Sequence, residues 1–299
     1  MPELPEVEAL RISLLPLVIG QIIHKVQVLT PKLVSSAGTS RSSCLTKKTQ
    51  FEEEIKGQTI LEIKRRAKNL IFTIENGSQI LIHLKMTGQL VYRPNEGHQI
   101  VWGGHPIELS HMHLPNKHTH IIFELDRGKL FYNDVRQFGY LLFFPDEQTL
   151  LKSGHFDKLG LEPLSDEFNL STFTEKLKAK KGNLKKMFLD QQVVVGLGNI
   201  YTDEVCFVAG VRPTRTVESL KPKEIKKLYE TIKTILPEAI NDGGSSVANY
   251  LLGDGQKGNY TKKHYVYNRG GLKCKVCGSK LVKLNLAGRT TVYCPICQK

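Results

Sequence analysis

The chain has 299 residues, 40% of them hydrophobic, enough for a sizeable core and, at ordinary domain sizes, for two domains. It carries 42 Lys+Arg against 29 Asp+Glu, a formal net charge of +13 that points to a polyanionic partner. No apolar run reaches the roughly 18 residues of a membrane helix, and the N-terminus lacks the basic-then-apolar order of a secretory signal, so the reading is a soluble, cytoplasmic protein with no membrane partner.

The chain opens Met1-Pro2-Glu3-Leu4-Pro5-Glu6-Val7-Glu8. Removal of Met1 leaves the Pro2 nitrogen as a secondary amine. An α-amino group has a pKa near ~8, so a useful fraction is neutral and nucleophilic at cellular pH. With Glu3 and Glu6 close by, such an amine can attack a sugar or carbonyl carbon and form a Schiff base. Taken alone, the same residues also make an ordinary helix start, because Pro and Glu both suit a first turn. Leu4, Val7, Leu10, Leu14 and Leu17 recur at steps of three and four and predict an amphipathic helix over 3–18, which Gly20 can end.

Residues 21–145 alternate short apolar runs with turn signals. Strands are predicted at 22–28, 60–66, 70–75, 79–84, 89–92, 120–125, 129–133 and 140–144, with hairpin turns at Asn76-Gly77 and 126–128. Many strands and few helices predict an antiparallel sandwich or barrel. Residues 35–50 (Ser/Thr/Lys-rich) and 94–118 (with His98, His105, His111, His113 and His118) read as inserted loops; a metal site is the alternative for the histidines, with their irregular spacing and the Gly/Pro content against it. Around 155–168 a linker begins. Helices follow at about 169–180, 184–190, 199–209 and 221–241. The pair 184–190 and 199–209, joined through Val195-Gly196-Leu197-Gly198, reads as a helix-turn-helix relative. The N–H groups at its second helix start and the Asn199 side chain are candidates to hold a phosphate. The GxG lacks the preceding strand that a dinucleotide site requires.

From Gly255 to Lys299 there is no acid, and ten residues are Lys or Arg. Cys274-x2-Cys277, sixteen residues, then Cys294-x2-Cys297 has four-cysteine zinc spacing. Four thiolates make a closed structural site for one zinc ion. Strands at 280–284 and 290–293 would form a hairpin carrying Arg289 beside Gly288, suited to reach a DNA groove.

These motifs together resemble the formamidopyrimidine-DNA glycosylases, bacterial enzymes that remove oxidised purines from DNA. The resemblance runs from end to end: Pro2 to Glu8; Arg65-Arg66-Ala67-Lys68; His83-Leu84-Lys85-Met86-Thr87-Gly88; Asp134-Val135-Arg136-Gln137-Phe138-Gly139; Leu189-Asp190-Gln191 through 195–201; and the finger ending Cys297-Gln298-Lys299. Leu4 favours the purine branch over endonuclease VIII, which typically has glycine there. The resemblance implies an α+β multidomain fold. It divides into an N-terminal antiparallel β-sandwich with an N-terminal helix (1–155), a linker (156–168), a helical helix–two-turn–helix domain with a lesion loop (169–262) and a zinc-finger β-hairpin (263–299).

The resemblance also implies roles. Pro2 is the nucleophile at C1′, Glu3 the acid/base, and Glu6 positions the amine. Lys68 contacts phosphate beside the lesion, and Arg289 does so from the finger and assists δ-elimination. Met86, Arg136 and Phe138 wedge the duplex and fill the space left by the flipped base; without the resemblance, Met86 and Phe138 read as core. His83, His118, Lys180, Lys185 and Asn199 fall among the DNA contacts. The glycine-rich stretch 253–260 matches the loop over the flipped base. The partner is duplex DNA with oxidised bases or abasic sites, bound by a monomer in the bacterial cytoplasm with the nucleoid. Three departures bear on lesion preference: Ala9 for a usual threonine, Lys85 for a customary glycine, and Ala248-Asn249 for a charged pair. Alternatives are an oxidised-pyrimidine enzyme of the same fold and a non-catalytic zinc-finger damage binder.

Overall fold

In the computed structural model, described here for residues 1–36, 44–96, 101–104 (backbone only), 113–245 and 259–299, the first helix α1 spans Leu4–Val18. Leu4, Val7, Leu10 and Leu14 of the predicted stripe are fully buried along it, while Val18 takes the place of the partly buried Leu17. Gly20, at φ +75°, takes the left-handed conformation that ends the helix.

Two five-stranded sheets follow. The first has the order β1 (Ile23–Val28), β8 (Thr119–Leu125), β9 (Gly128–Asp134), β6 (Gly88–Pro94), β7 (Val101–Gly104). The second runs β2 (Val34–Ser36), β10 (Tyr140–Phe144), β5 (Gln79–His83), β4 (Asn69–Ile74), β3 (Ile60–Arg66). All pairings are antiparallel except β2 with β10. The inward rows of both sheets, such as Leu70, Phe72 and Ile82 on one and Leu90, Phe123 and Tyr132 on the other, share one core with α1. The strand expectations hold to within two residues at each end.

Two helices within residues 1–157 were not expected. α2 (Leu45–Ile55) occupies the second half of a stretch read as a loop, and α3 (Glu147–Lys152) follows β10 with Asp146 as its N-cap. α2 forms because Phe51 and Ile55 enter the sandwich core. Two apolar anchors among Lys, Thr, Gln and Glu give too thin a stripe to see in sequence. The segment read as a single loop over 94–118 also contributes β7; its residues 97–100 and 105–112, with His98, His105 and His111, lie outside the described residues.

The described residues fall into two compact units: Met1–Pro2 with Glu6–Asp157, and Glu3–Pro5 with Lys158–Ser245 and Asn259–Lys299. The second holds α4 (Leu170–Lys178), α5 (Leu184–Leu189), α6 (Asn199–Val208), α7 (Pro222–Asn241), the short α8 (Tyr260–Lys263) and the hairpin β11 (Val282–Leu286) and β12 (Arg289–Tyr293). Its helical core gathers Phe173, Phe188, Tyr201, Leu228 and Leu236. A small separate cluster of Phe207, Val266, Leu281 and Val292 with two cysteines supports the hairpin. Arg212 and Gln298 tie the last residues to this base: Arg212 donates to the Gln298 and Pro295 carbonyls, and the Gln298 amide bonds Cys294 N and Val211 O.

Candidate active site and nucleic-acid interface

The Glu3 carboxylate lies at the start of α6. It accepts from Gly198 N at 2.7 Å, Ile200 N at 2.9 Å and Tyr201 N at 3.3 Å. These are the orphan donors of a helix N-terminus, and a carboxylate also suits the helix dipole there. Glu3 therefore occupies three of the amides expected to hold a phosphate. The two glycines now have a reason. A Cβ on Gly198 would lie 2.4 Å from the Glu3 carboxyl carbon, and one on Gly196 (φ +86°) would lie 2.4 Å from Leu4 Cβ. Leu4 N also donates to Gly196 O at 3.0 Å. The GxG thus admits the chain's own N-terminus rather than a nucleotide.

Pro2, Glu6 and Lys68 are all buried in the sandwich unit. Lys68 sits in the tight turn between β3 and β4, after Ala67 at φ +54°. Arg65 anchors that turn to α1, donating to Glu8 at 2.7 Å and to the Ala67 carbonyl at 3.0 Å. Burial raises the Glu8 carboxyl, but bonds from Arg11 and Arg65 outweigh it and hold the group below the usual carboxylate range.

Met86 and Phe138 are exposed at 39% and 48%, on the β5–β6 and β9–β10 loops. Neither is core. The Arg136 guanidinium approaches the Met86 sulfur at 3.1 Å and stacks 4.5 Å from the Phe138 ring centre. The three expected wedge residues therefore meet. His83, half-buried, accepts from Lys85 N at 3.0 Å and packs on Tyr140. Lys85 keeps a left-handed φ of +50°, the conformation for which glycine is the usual choice. His118 lies beside this region, its carbonyl accepting from Asp134 N.

In the second unit, Asn199, Asp203, Tyr267, Lys283 and Arg289 line one cavity of about 490 Å³. Arg289 follows a two-residue turn, Ala287 at φ +53° and Gly288 at φ +69°, the pattern of a tight hairpin. The Asn199 amide donates to the Thr290 carbonyl at 3.0 Å, next to Arg289. Lys283 and Tyr267 were missed from sequence; the register of β11 against β12 brings Lys283 here, and a bond from Tyr267 N to Glu204 of α6 brings Tyr267.

Lys185 is corrected. It is fully buried, its ammonium 2.7 Å from Asp203 Oδ1 and 3.1 Å from the Asn199 carbonyl, so it has no reach to a phosphate. Asp203 Oδ2 accepts from Val292 N at 3.0 Å, so the pair ties α5 and α6 to β12. Burial pushes the Asp203 carboxyl up to about 6, against the pull of Lys185. Lys180 is part-exposed and bonds Asp190 and Gln192. Of the expected lesion loop 253–260, residues 253–258 lie outside the described residues, as do Ala248-Asn249, while Asn259 and Tyr260 begin α8.

The four cysteines are free thiols whose sulfurs all lie within 4.8 Å of one another. Cys274 and Cys297 are 3.9 Å apart, Cys277 and Cys294 3.4 Å. Zinc–sulfur bonds of about 2.3 Å in a tetrahedron place sulfurs roughly 3.8 Å apart, so the set fits one zinc ion. No helix among the described residues is long and apolar enough to cross a membrane.

Comparisons with known proteins match the chain in three segments. Residues 1–141 match the formamidopyrimidine-DNA glycosylase N-terminal domain, 159–250 its H2TH domain, and 271–299 the zinc finger found in FPG and IleRS. The chain is 39% identical over 301 residues to a formamidopyrimidine-DNA glycosylase of Heliobacterium modesticaldum, covering 100% of both chains. It is 37% identical over 298 residues to one of Desulfitobacterium hafniense, again covering 100% of each. Among solved structures, Lactococcus lactis Fpg bound to DNA with an abasic site superposes at TM-score 0.83, with 34% identity over 99% of both chains. The same enzyme bound to DNA with an oxidised pyrimidine gives 0.82, with 34% identity over 100% of both. With full-length identity, all three domains in order and the fold in common, the chain belongs to the formamidopyrimidine-DNA glycosylase family.

Proposed function

We propose that the protein is a bifunctional DNA glycosylase and abasic-site lyase that excises oxidised purines, formamidopyrimidines and 8-oxoguanine, from duplex DNA. The observation that carries this is the Glu3 carboxylate, fixed by three backbone N–H groups at the start of α6. A chain end so held is a reactive group in a set place, whereas a merely structural helix start needs no such anchor.

After loss of Met1, the neutral Pro2 amine attacks C1′ of the damaged nucleotide. The glycosidic bond breaks and its electrons leave with the base, which takes up a proton. Glu3 protonates the ring oxygen as the sugar opens, leaving an iminium between Pro2 and C1′. The iminium acidifies C2′; a base removes that proton and the 3′ phosphate departs by β-elimination. Loss of a further proton expels the 5′ phosphate. Glu6 orients the amine. Lys68, Asn199 and Arg289 hold the phosphates that must leave, and Met86, Arg136 and Phe138 fill the vacated stack. His83, His118 and Lys180 add contacts to the duplex. Zinc on Cys274, Cys277, Cys294 and Cys297 keeps the hairpin rigid. The protein acts as a monomer in the bacterial cytoplasm, at the nucleoid.

The test is a strand-cleavage assay on duplexes with one 8-oxoguanine or one oxidised pyrimidine. The purine duplex is expected to be cut to a gap bearing phosphates at both ends, faster than the pyrimidine duplex. The reverse preference would establish the second reading, which the Lactococcus complex with an oxidised pyrimidine makes specific. Binding without cleavage on either would make the protein a damage binder.

A further inference from the structure

The wedge stands on two loops that share no strand pairing at their tips, yet Met86, Arg136 and Phe138 meet. Two of the loop residues, Lys85 at φ +50° and Gln137 at φ +55°, hold left-handed backbones that side chains disfavour. Something beneath must hold these loops in place.

That support is polar and buried. Asp134, at the end of β9, is fully inaccessible, and Thr87, in the Met86 loop just before β6, is 7% exposed. The Thr87 hydroxyl donates to Asp134 Oδ1 and itself accepts from Arg136 N at 3.0 Å. Arg136 N also reaches Asp134 Oδ1 at 3.1 Å, and Gly139 N donates to Asp134 Oδ2 at 2.7 Å. One carboxylate thus grips both ends of the 136–139 turn, and one hydroxyl joins that turn to the Met86 loop. Gly139 lets the turn pack closely, with no room for a side chain: a Cβ there would lie 1.8 Å from the Tyr132 hydroxyl and 2.8 Å from the His83 carbonyl. Below, His120 bonds the Asp134 carbonyl through Nε2 at 2.8 Å and the Thr30 hydroxyl through Nδ1 at 2.8 Å. A carbonyl only accepts, so Nε2 carries the proton and Thr30 donates to Nδ1.

We infer that Thr87 and Asp134, backed by His120 and Thr30, are positioning residues that pre-assemble the wedge, so that displacing a base from the duplex carries no cost of ordering two loops. Charge-assisted bonds to a buried carboxylate are the strong kind, and removing one partner leaves the other unsatisfied. Pre-organisation of this sort acts on the step in which the wedge replaces a stacked base. It does not act on the amine chemistry at Pro2. The inference rests on the proposed glycosylase function.

The experiment compares Thr87→Val, which keeps the shape and loses the hydroxyl, with Thr87→Ser, which keeps the hydroxyl. Two readouts are taken: kcat/KM on an 8-oxoguanine duplex, and borohydride trapping on a single-stranded abasic oligonucleotide, where there is no opposite base to displace. Thr87→Val is expected to lose on the order of tenfold on the duplex, the effect of one hydrogen bond to a charged group. Its single-strand trapping should stay at the wild-type level, and Thr87→Ser should restore the duplex rate. Equal activity of Thr87→Val and wild type on the duplex overturns the inference. So does an equal loss on both substrates, or a failure of Thr87→Ser to rescue. Should Thr87→Val not fold, Thr87→Ala carries the same comparison. Absence of trapping by the wild-type protein itself would instead sink the proposed function.

Discussion

Glu3 is held from its carboxylate and its backbone neighbour alike, and the substitution that tests its anchor is on the helix rather than on Glu3. Gly198→Ala would put a methyl 2.4 Å from the Glu3 carboxyl carbon. We expect it to displace Glu3 and to lower turnover at least tenfold while duplex affinity changes little; unchanged turnover in a folded Gly198→Ala protein would show that the anchor is dispensable. The buried pair Lys185–Asp203 makes a stability prediction. Lys185→Met leaves Asp203 uncompensated and should cost about 3–5 kcal/mol in urea unfolding; a loss under about 1 kcal/mol would contradict full burial of the pair. His264 makes a pH prediction. Burial lowers its pKa to about 4, and its Nε2 is 2.8 Å from the Ser245 hydroxyl. A depressed base gives stability that is present above the free value near ~6.5 and is lost as pH falls through the folded value. Melting temperature should therefore fall between about pH 6.5 and 4, and His264→Gln should flatten that fall. A variant that keeps the full wild-type slope would remove His264 as its source.

At the scale of elements, α6 is the organising piece of the second unit. Its N-terminus takes Glu3, Asp203 holds β12, and Glu204 accepts three N–H bonds, from Tyr265, Val266 and Tyr267, at 2.8 to 2.9 Å. Burial raises the Glu204 carboxyl, against those three donors. Little of this was legible in sequence. Asp203 and Glu204 carry no signal in sequence, because only the fold shows that both faces of α6 are covered. Lys185 lies in a run with Lys180, Lys181 and Lys186 from which Lys180 and Lys185 read as DNA contacts; the turn of α5 buries Lys185 and leaves its neighbour Lys186 exposed. The bonds from Glu3 to Gly198 and Ile200 span nearly two hundred positions, beyond any local pattern. What local pattern does encode came through: the α1 stripe, the strand alternation, the Asn76-Gly77 turn and the paired cysteines. α2 failed because two anchors, Phe51 and Ile55, are enough when a sandwich core stands ready to receive them.

For the molecule as a whole, the net charge of +13 is the widest statement the composition makes. Each cation neutralising a phosphate should steepen the fall of log K against log salt by about 0.9. Lys68→Ala and Arg289→Ala are each expected to reduce that slope by about one, measured by fluorescence anisotropy on abasic duplex; a slope unmoved by either would take them off the phosphates. The hairpin rests on only a small apolar cluster. A structural zinc in a small finger is worth roughly 10–16 kcal/mol, so its removal should unfold the finger. Chelated protein should lose duplex binding while the sandwich keeps its strand signal in circular dichroism. Retention of full binding in metal-free protein would contradict a structural role for zinc.

The central claim is that the N-terminal amine of Pro2 is the nucleophile. It is tested most directly by borohydride trapping on 8-oxoguanine duplex, followed by peptide mass mapping of the adduct. The account predicts a single reduced adduct on the N-terminal peptide, at a Pro2 freed of Met1. An adduct on a lysine, or none from protein shown to begin at Pro2, would contradict it.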